Sequence, residues 1–270
     1  MLAVDDVAVA AFGDLNARLG EMPYAGATAA VAAVRLRHLL ATDPGGAWVA
    51  ERDGEIVGAA LALVRERVWG LSLFVVAPGA QSTGIGRELL ARAWEHGDAT
   101  GFLILASRDA RALRAYVRLG LDLHPALDGA GVPRGVTMPD GLRPWEPADA
   151  AWADPLARRI RGAAHGADLG ALLEAGMTIT VLPGRGYAAA RANDLRLLAA
   201  ADESAARALI DGHLAAAGDE HVTVQWITGA QQWAIRACVH AGLGFYSHGA
   251  MLTGGRLGPL HPYLPSGPYL

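Results

Sequence analysis

The sequence predicts an α/β fold of the α+β type, arranged as two successive halves. Both halves show the same order of predicted elements: a hairpin, a strand, a helix, a strand and a helix. At 270 residues the chain is long enough for two ordinary domains. With 52% hydrophobic and 19% charged residues it can bury a full core, which argues against a disordered chain.

The first elements are two helices and a hairpin. Helical patterns occupy residues 4 to 18 and 27 to 42, and no strand pattern precedes Val4. Residues 47 to 66 predict two strands joined at Asp53-Gly54, a strong two-residue hairpin signal. The loop between the helices, residues 20 to 28, is expected to help shape an acceptor site.

A buried strand, a glycine-rich loop and a helix come next. The apolar run LSLFVV, residues 71 to 76, predicts a strand buried on both faces, and Pro78-Gly79 ends it. A helical pattern then starts near Gly84. Because the N–H groups at a helix N-terminus are unsatisfied and carry the positive end of the dipole, this arrangement favours binding of a phosphate.

Spacing separates the families that use such a loop. The P-loop is excluded because Arg87-Glu88 follow Gly86, and the dinucleotide fingerprint is excluded because Leu89 stands at its third glycine. The segment Gln81-Ser82-Thr83-Gly84-Ile85-Gly86 instead fits Q-x-x-G-x-G behind the strand end Val76-Ala77-Pro78. It resembles the acyl-CoA loop of the GNAT superfamily of N-acyltransferases. A plain strand-to-helix turn is the alternative.

The resemblance implies acetyl-CoA as co-substrate and two tandem GNAT-like domains, each a mixed, mostly antiparallel sheet flanked by helices. Residues 1–135 would form the catalytic domain and residues 140–270 a degenerate copy without the acyl-CoA loop. Eleven residues are expected to bind the cofactor: Phe74, Val75, Val76, Gln81, Ser82, Thr83, Gly84, Ile85, Gly86, Arg87 and Asp109.

The following strand and helix carry the predicted acid. Residues 102 to 107 predict a buried strand, and a helix follows from Asp109 as N-cap to Gly120 as its C-terminal stop. By the resemblance, Tyr116 on this helix would protonate the departing CoA thiolate, since a phenol remains protonated at neutral pH. A packed aromatic is the alternative. Glu66 and His124 are the candidate bases near these elements, but the favoured interpretation of each is a surface or packing residue.

The second half is a faded copy of the first. Residues 123 to 147 predict a linker, and beyond it AIRACVHAGL matches ALRAYVRLGL at six of ten positions, 122 residues after Ala112. AADES replaces the glycine-rich loop and places Asp202 and Glu203 at a helix start, and Cys238 replaces Tyr116. The hypothesis is that this half no longer binds acyl-CoA and serves as scaffold, interface or substrate wall.

Two further segments carry polar or aromatic residues. Arg161, His165 and Asp168 could line a pocket, but a solvated helix end is the favoured interpretation. The Pro-rich tail from Gly258 is expected to pack over a domain or partner surface, with Tyr263 and Tyr269 as anchors.

The favoured function is therefore N-acetyltransferase, acting on a small-molecule or peptide amine with its chemistry in the first half. A non-catalytic acyl-CoA sensor or assembly module is the alternative. The net charge of −4 disfavours nucleic acid, no apolar run is long enough for a membrane span, and a single cysteine without a ligand cluster predicts no metal site. A cytoplasmic protein is expected, and its oligomeric state is left open between a monomer and a homodimer.

Overall fold

The computed structural model describes residues 2–24 and 26–270, with the side chain of Leu2 left out. Met1 and Ala25, the latter in the predicted acceptor loop, lie outside the described residues. The helices are α1 Leu2–Leu19, α2 Ala29–Thr42, α3 Ile85–Trp94, α4 Ala110–Arg118, α5 Ala150–Arg161, α6 Ala167–Glu174, α7 Glu203–Ala217 and α8 Gln232–His240. The strands are β1 Ala47–Arg52, β2 Glu55–Arg65, β3 Val68–Val76, β4 Gly101–Ala106, β5 Asp122–Gly131, β6 Arg143–Pro144, β7 Thr178–Leu182, β8 Gly186–Arg191, β9 Asp194–Ala200, β10 Val222–Thr228, β11 Gly244–Gly255 and β12 Tyr263–Leu264.

The helices and strands predicted for the first half are confirmed. The described chain begins with α1, and β1 and β2 meet at Asp53-Gly54 as the hairpin signal requires. α4 starts behind Asp109, whose side chain accepts a hydrogen bond from the Arg111 N–H. None of the described helices is both long and apolar enough to cross a membrane.

All strands join one mixed, mostly antiparallel sheet, in which the two halves exchange their last strands. The order is β1-β2-β3-β4-β11-β5-β10-β9-β8-β7-β6, and β12 adds to β9. β11, from the second half, pairs with β4 of the first, while β5, from the first half, pairs with β10 of the second. β5 and β11 pair with each other at the centre. The two halves are therefore joined by main-chain hydrogen bonds as well as by side-chain packing.

Each half contains one parallel strand pair that separates before its end. β3 and β4 pair from Val68 to Leu71 and then diverge. β9 and β10 pair at Asp194 and Leu195 and then diverge. Separation of parallel strands opens a crevice in the sheet. The crevice beside β3 continues into a cavity, whereas β12 pairs with β9 in the other crevice.

The linker predicted for residues 123 to 147 is wrong over Asp122–Gly131, which is strand β5. Its sequence, DLHPALDGAG, contains Pro and Gly and has low intrinsic strand propensity. Pairing with β10 and β11 on its two sides supplies the hydrogen bonds that the local sequence does not predict.

The favoured interpretation of the Arg161 segment as a solvated helix end is also wrong. Arg161, His165 and Asp168 are each at most 1% exposed. Arg161 donates to main-chain oxygens of Ala164 and Leu270, and Asp168 pairs with Arg65 at 2.7 Å. Buried charges need such partners, and here the partners come from distant parts of the chain.

The tail packs on the protein as expected. Tyr263 and Tyr269 are 1% and 2% exposed, and both join a hydrophobic cluster that contains residues of both halves. The tail is thus part of the core between the halves.

Candidate active site

One cavity of about 800 Å³ lies between the two halves. It begins in the crevice where β3 and β4 separate, so its wall includes the ends of both strands, residues 71–76 and 104–109. The opposite wall is formed by α1, α2 and strands of the second half. The cavity also reaches the tail at Tyr269.

The glycine-rich loop lies at one end of this cavity. Gly84 begins α3 with φ +95°, a left-handed conformation that suits glycine, and as the N-cap residue it offers no side chain to the helix N–H groups. The first turn of α3 therefore presents its amides without a protein acceptor on a capping side chain. This is the arrangement that favours an anion.

Most of the predicted cofactor residues meet in the cavity wall. Those that line it are Phe74, Val75, Val76, Gln81, Ser82, Gly86, Arg87 and Asp109. Thr83, Gly84 and Ile85 belong to the loop but not to the described wall. The Thr83 hydroxyl donates to the Ala80 oxygen at 2.7 Å, which stabilises the loop, and Ile85 packs on the core beneath the helix.

Gln81 and Asp109 are connected through Arg111. The guanidinium donates to Gln81 Oε1 at 2.6 Å and to Asp109 Oδ2 at 2.6 Å. The hydrogen bond from Arg111 lowers the pKa of Asp109, so this carboxylate is ionised at neutral pH. In the structure Asp109 therefore caps α4 and holds Arg111 against the loop.

Tyr116 lines the same cavity and is buried. It is 4% exposed, and its ring lies 6.2 Å from the ring of Phe74 on β3. Burial raises its pKa well above the ordinary value, and the charge of Asp109 adds to the shift. The hydroxyl is thus protonated throughout the physiological range and can act only as a proton donor there.

A histidine–aspartate pair that sequence reasoning missed also faces the cavity. His248 on β11 lines the wall, and its Nδ1 lies 2.5 Å from Oδ2 of Asp128 on β5. A hydrogen bond from Nδ1–H to the carboxylate leaves the lone pair on Nε2. The pair therefore has the geometry of an oriented base.

The backbone around this pair is irregular on both sides. β11 is bulged between Ser247 and Gly249, which places His248 at the bulge, and β10 is bulged at Trp226. A Cβ at Gly249 would lie 2.1 Å from the Ala106 oxygen, so only glycine allows this approach to β4. Bulges beside a cavity redirect side chains.

Trp226 completes the setting of His248. Its φ is +61°, a left-handed value that is rare for an aromatic residue. The centroid of its ring lies 4.1 Å from that of the imidazole, and its main-chain N–H donates to Asp128 Oδ1 at 3.2 Å. Ring and carboxylate together fix the orientation of the histidine. Neither His248 nor Asp128 stands in a recognisable sequence motif, because the exchange of β5 and β11, and not a local pattern, brings these two residues together.

Glu66 and His124, the two candidate bases in the sequence, lie outside the described wall of the cavity. Glu66 accepts a hydrogen bond from Arg158 at 2.6 Å, and His124 is exposed and bonded to Thr253 at 2.9 Å. Neither residue belongs to the described wall of the cavity.

The second half has no equivalent opening. β12 pairs with β9 at Leu198 and Ala199. These residues correspond to Phe74 and Val75 when the strand segment starting at Asp194 is aligned with the one starting at Gly70, an offset of 194 − 70 = 124. Asp202 caps α7 and accepts from the Ala205 N–H at 2.8 Å. Cys238 is fully buried.

Comparison with known proteins agrees with this architecture. Residues 16–121 match the Acetyltransferase (GNAT) family. A mycothiol acetyltransferase from Streptomyces avermitilis is 34% identical over 88 residues, which cover 30% of this chain and 29% of the relative. The match thus spans less than a third of that relative's length.

Solved structures show the same fold over nearly the whole chain. A proposed acetyltransferase from Pyrococcus horikoshii has a TM-score of 0.73 at 14% identity, covering 88% of this chain and 84% of that one. A tandem GNAT protein from the clavulanic acid biosynthesis pathway has a TM-score of 0.54 at 17% identity, covering 94% and 96%. A GCN5-related N-acetyltransferase from Sphaerobacter thermophilus scores 0.55 at 15% identity, covering 98% and 95%. Residues 16–121 are therefore similar to the GNAT acetyltransferase family, and the chain as a whole has the fold seen in these solved structures, a tandem GNAT protein among them.

Proposed function

We propose that this protein transfers an acetyl group from acetyl-CoA to a primary amine in the cavity between its halves. The observation that carries the proposal is the meeting of four features in one wall: the glycine-rich loop, the separated strands, buried Tyr116 and His248. Acetyl-CoA, when bound, supplies a thioester carbonyl for attack and a thiolate as leaving group.

The residues present fit an acyl-CoA. The uncapped start of α3 at Gly84 suits the pyrophosphate, and Arg87 in the first turn adds a positive charge. β3 is free of a neighbour on its β4 side beyond Leu71, so its main chain can pair with the pantetheine arm. The hydroxyl of Ser72 on that stretch is buried without a hydrogen-bond partner among the described residues, which adds one polar group to the cavity wall.

We assign the general base to His248. An amine must lose a proton as it attacks, and Nε2 can take that proton while Nδ1–H remains bonded to Asp128. Asp128 is a positioning residue, because it fixes the tautomer and stabilises the imidazolium that forms. The base thus comes from a strand of the second half and reaches the crevice of the first.

We assign the general acid to Tyr116. Its hydroxyl is protonated over the whole working range and lies in the wall beside Phe74. Donation from Oη protonates the sulfur as its bond to the acetyl carbon breaks, so that it leaves as the neutral thiol. Burial keeps water away from this transfer.

The test measures free thiol release and acetylated product with a panel of primary amines. Wild type is expected to turn over at least one amine. Positioned acid and base groups contribute about 10² to 10⁴ in rate, so His248→Gln and Tyr116→Phe should each lower kcat by about 100-fold or more. Acetyl-CoA affinity, measured by calorimetry, should change little in both variants.

His240→Gln is the matched control, since His240 is an exposed residue at the end of α8. It should leave kcat unchanged. Unchanged turnover in His248→Gln would remove the histidine from the role of base, and unchanged turnover in Tyr116→Phe would remove the tyrosine from the role of acid.

A non-catalytic acyl-CoA sensor is the second candidate. It is favoured by the absence of a carboxylate from β3, the strand that leads into the loop. It predicts stoichiometric acetyl-CoA binding with no product from any amine and no effect of Tyr116→Phe on thiol release.

A further inference from the structure

Three arginines form part of the cavity wall away from the glycine-rich loop. Arg35 lies on α2, Arg191 ends β8 and Arg196 lies on β9. In the sheet β9 is separated from β3 by β4, β11, β5 and β10. Arg191 and Arg196 therefore belong to strands that lie far along the sheet from the cofactor strand, while Arg35 comes from a helix of the first half.

Their guanidinium groups are incompletely bonded within the protein. The Nε atom of each is buried and has no hydrogen-bond partner among the described residues. Arg191 donates once, to the Ala175 oxygen at 3.0 Å, and Arg196 donates to Asp194 Oδ2 at 2.7 Å. No ion pair of Arg35 or Arg191 occurs within the part of the chain that the structure describes. A guanidinium has five N–H donors, and in these three half-buried side chains the protein accepts from only a few of them, so the others can bind a ligand in the cavity.

The charges that face this group do not balance it. Asp5 on α1 and the hydroxyls of Tyr24 and Tyr269 act on Arg35, yet burial still lowers its pKa. Burial also lowers the pKa of Arg191, and the charge of neighbouring Arg196 lowers it further. A cation whose own surroundings disfavour the charge is stabilised by an anion from outside.

From this juxtaposition we infer that the amine acceptor carries an anionic group, a carboxylate or a phosphate, which Arg35, Arg191 and Arg196 bind. The inference rests on the proposed function, because it names the class of acceptor for that site. Guanidinium groups bind both oxyanions through paired charge-assisted hydrogen bonds. With the anion at the arginines, the rest of the acceptor occupies the same cavity, whose wall also carries His248 and the separated ends of β3 and β4.

The test uses matched pairs of amines that differ only in the anion. Tyramine with tyrosine and butylamine with 4-aminobutyrate examine the carboxylate, and ethanolamine with phosphoethanolamine examines the phosphate. Binding to the acetyl-CoA complex is measured by calorimetry and product by mass spectrometry. The anionic member should bind at least about tenfold more tightly in one class of pair, and that class identifies the anion.

In Arg35→Gln and Arg196→Gln, the ratio of the affinities for the anionic and the neutral amine should fall toward one. Acetyl-CoA binding should not weaken. Because Arg35 has no ion pair among the described residues and the ion pair of Arg196 with Asp194 is partly exposed, neither change should lower Tm appreciably in the absence of ligand, whereas loss of a structural arginine would. Arg236→Gln, at an exposed position on α8, is the matched control and should retain the preference.

The outcomes separate this inference from the proposed function. Equal binding of both members of every pair, no binding by any member, or loss of acetyl-CoA affinity in Arg35→Gln overturns the inference. Product formed equally from charged and neutral amines overturns it while the proposed function stands. Preferential binding of anionic amines without acetylated product supports it while the proposed function fails.

Discussion

The two crevices of the sheet show how one fold can hold a ligand site in one half and close it in the other. In the first half, β3 beyond Leu71 pairs with β2 but has no strand on its β4 side among the described residues, and α3 begins behind an uncapped glycine. In the second half, β12 of the tail takes the position beside β9, and the Asp202 carboxylate takes the position at the start of α7. The chain supplies there both a strand and an anion of its own.

This difference indicates that the second half has not only lost the glycine-rich loop. The contacts of the tail with the second half also close its crevice. The Tyr263 hydroxyl donates to the Leu270 oxygen at 2.8 Å, and His165 lies between the hydroxyls of Tyr187 and Tyr263. We infer that acetyl-CoA binds once per chain, in the first half. A calorimetric stoichiometry of two would contradict this.

The largest effect is expected from removing the aromatic anchor of the tail. Tyr263→Ala deletes a fully buried ring and its hydrogen bonds, and large-to-small changes of this kind cost about 4 kcal/mol of the free energy of unfolding. Urea unfolding measures the loss. Tyr246→Ala, at a residue 62% exposed on β11, is the control and should cost little. A small loss in Tyr263→Ala would mean that β12 contributes little to closing the second crevice.

The next effect concerns the loop of the first half. Gly84→Asp gives α3 the kind of cap that Asp202 gives α7, and it also places a side chain at φ +95°. Acetyl-CoA affinity should fall about 100-fold, because a carboxylate competes with the pyrophosphate for the helix amides. Gly79→Asp adds the same charge in the same loop, at a glycine with open space around it, and should weaken binding far less. Equal affinities in the two variants would disprove an anion site at Gly84.

At low pH, the packing that closes the crevice of the second half should be destabilised before the crevice of the first half is affected. Burial lowers the pKa of His165 well below its ordinary value, and the charges of Arg161 and Arg65 lower it further. The unfolded chain then binds a proton that the folded chain does not, so this stabilisation is complete above about pH 6.5 and is lost as pH falls below it.

Between pH 7.5 and 5.5 wild type should lose about 1 kcal/mol more stability than His165→Asn, as measured by urea unfolding at both values. His221→Gln, at an exposed histidine, should behave as wild type. Identical pH slopes in wild type and His165→Asn would show that His165 is protonated without unfolding the protein.

The smallest effect tests whether the second site can be reopened by one change. Asp202→Gly removes the side-chain cap of α7 and should cost only a few tenths of a kcal/mol of stability, because glycine is itself tolerated at an N-cap. No second acetyl-CoA should bind, because β12 still pairs along β9. A second calorimetric site in this variant would show that the carboxylate alone closes the crevice.

Sequence was sufficient for the elements whose signals are local. The Asp53-Gly54 turn, the Asp109 cap and the glycine-rich loop depend on backbone conformation and side-chain hydrogen bonds over a few residues, so their residue types predict them. The internal repeat likewise predicted the tandem arrangement, because each half repeats the order of its elements.

Tertiary structure decided the rest. β5 forms in a Pro- and Gly-containing segment because β10 and β11 pair with it, and that same exchange brings Asp128 to His248 across 120 positions of sequence. Burial of Arg161, His165 and Asp168 depends on partners from the tail and from β2, and the grouping of Arg35 with Arg191 and Arg196 depends on the packing of the halves. Local propensity determines which segment becomes a strand or helix, but only long-range pairing determines which side chains share a cavity.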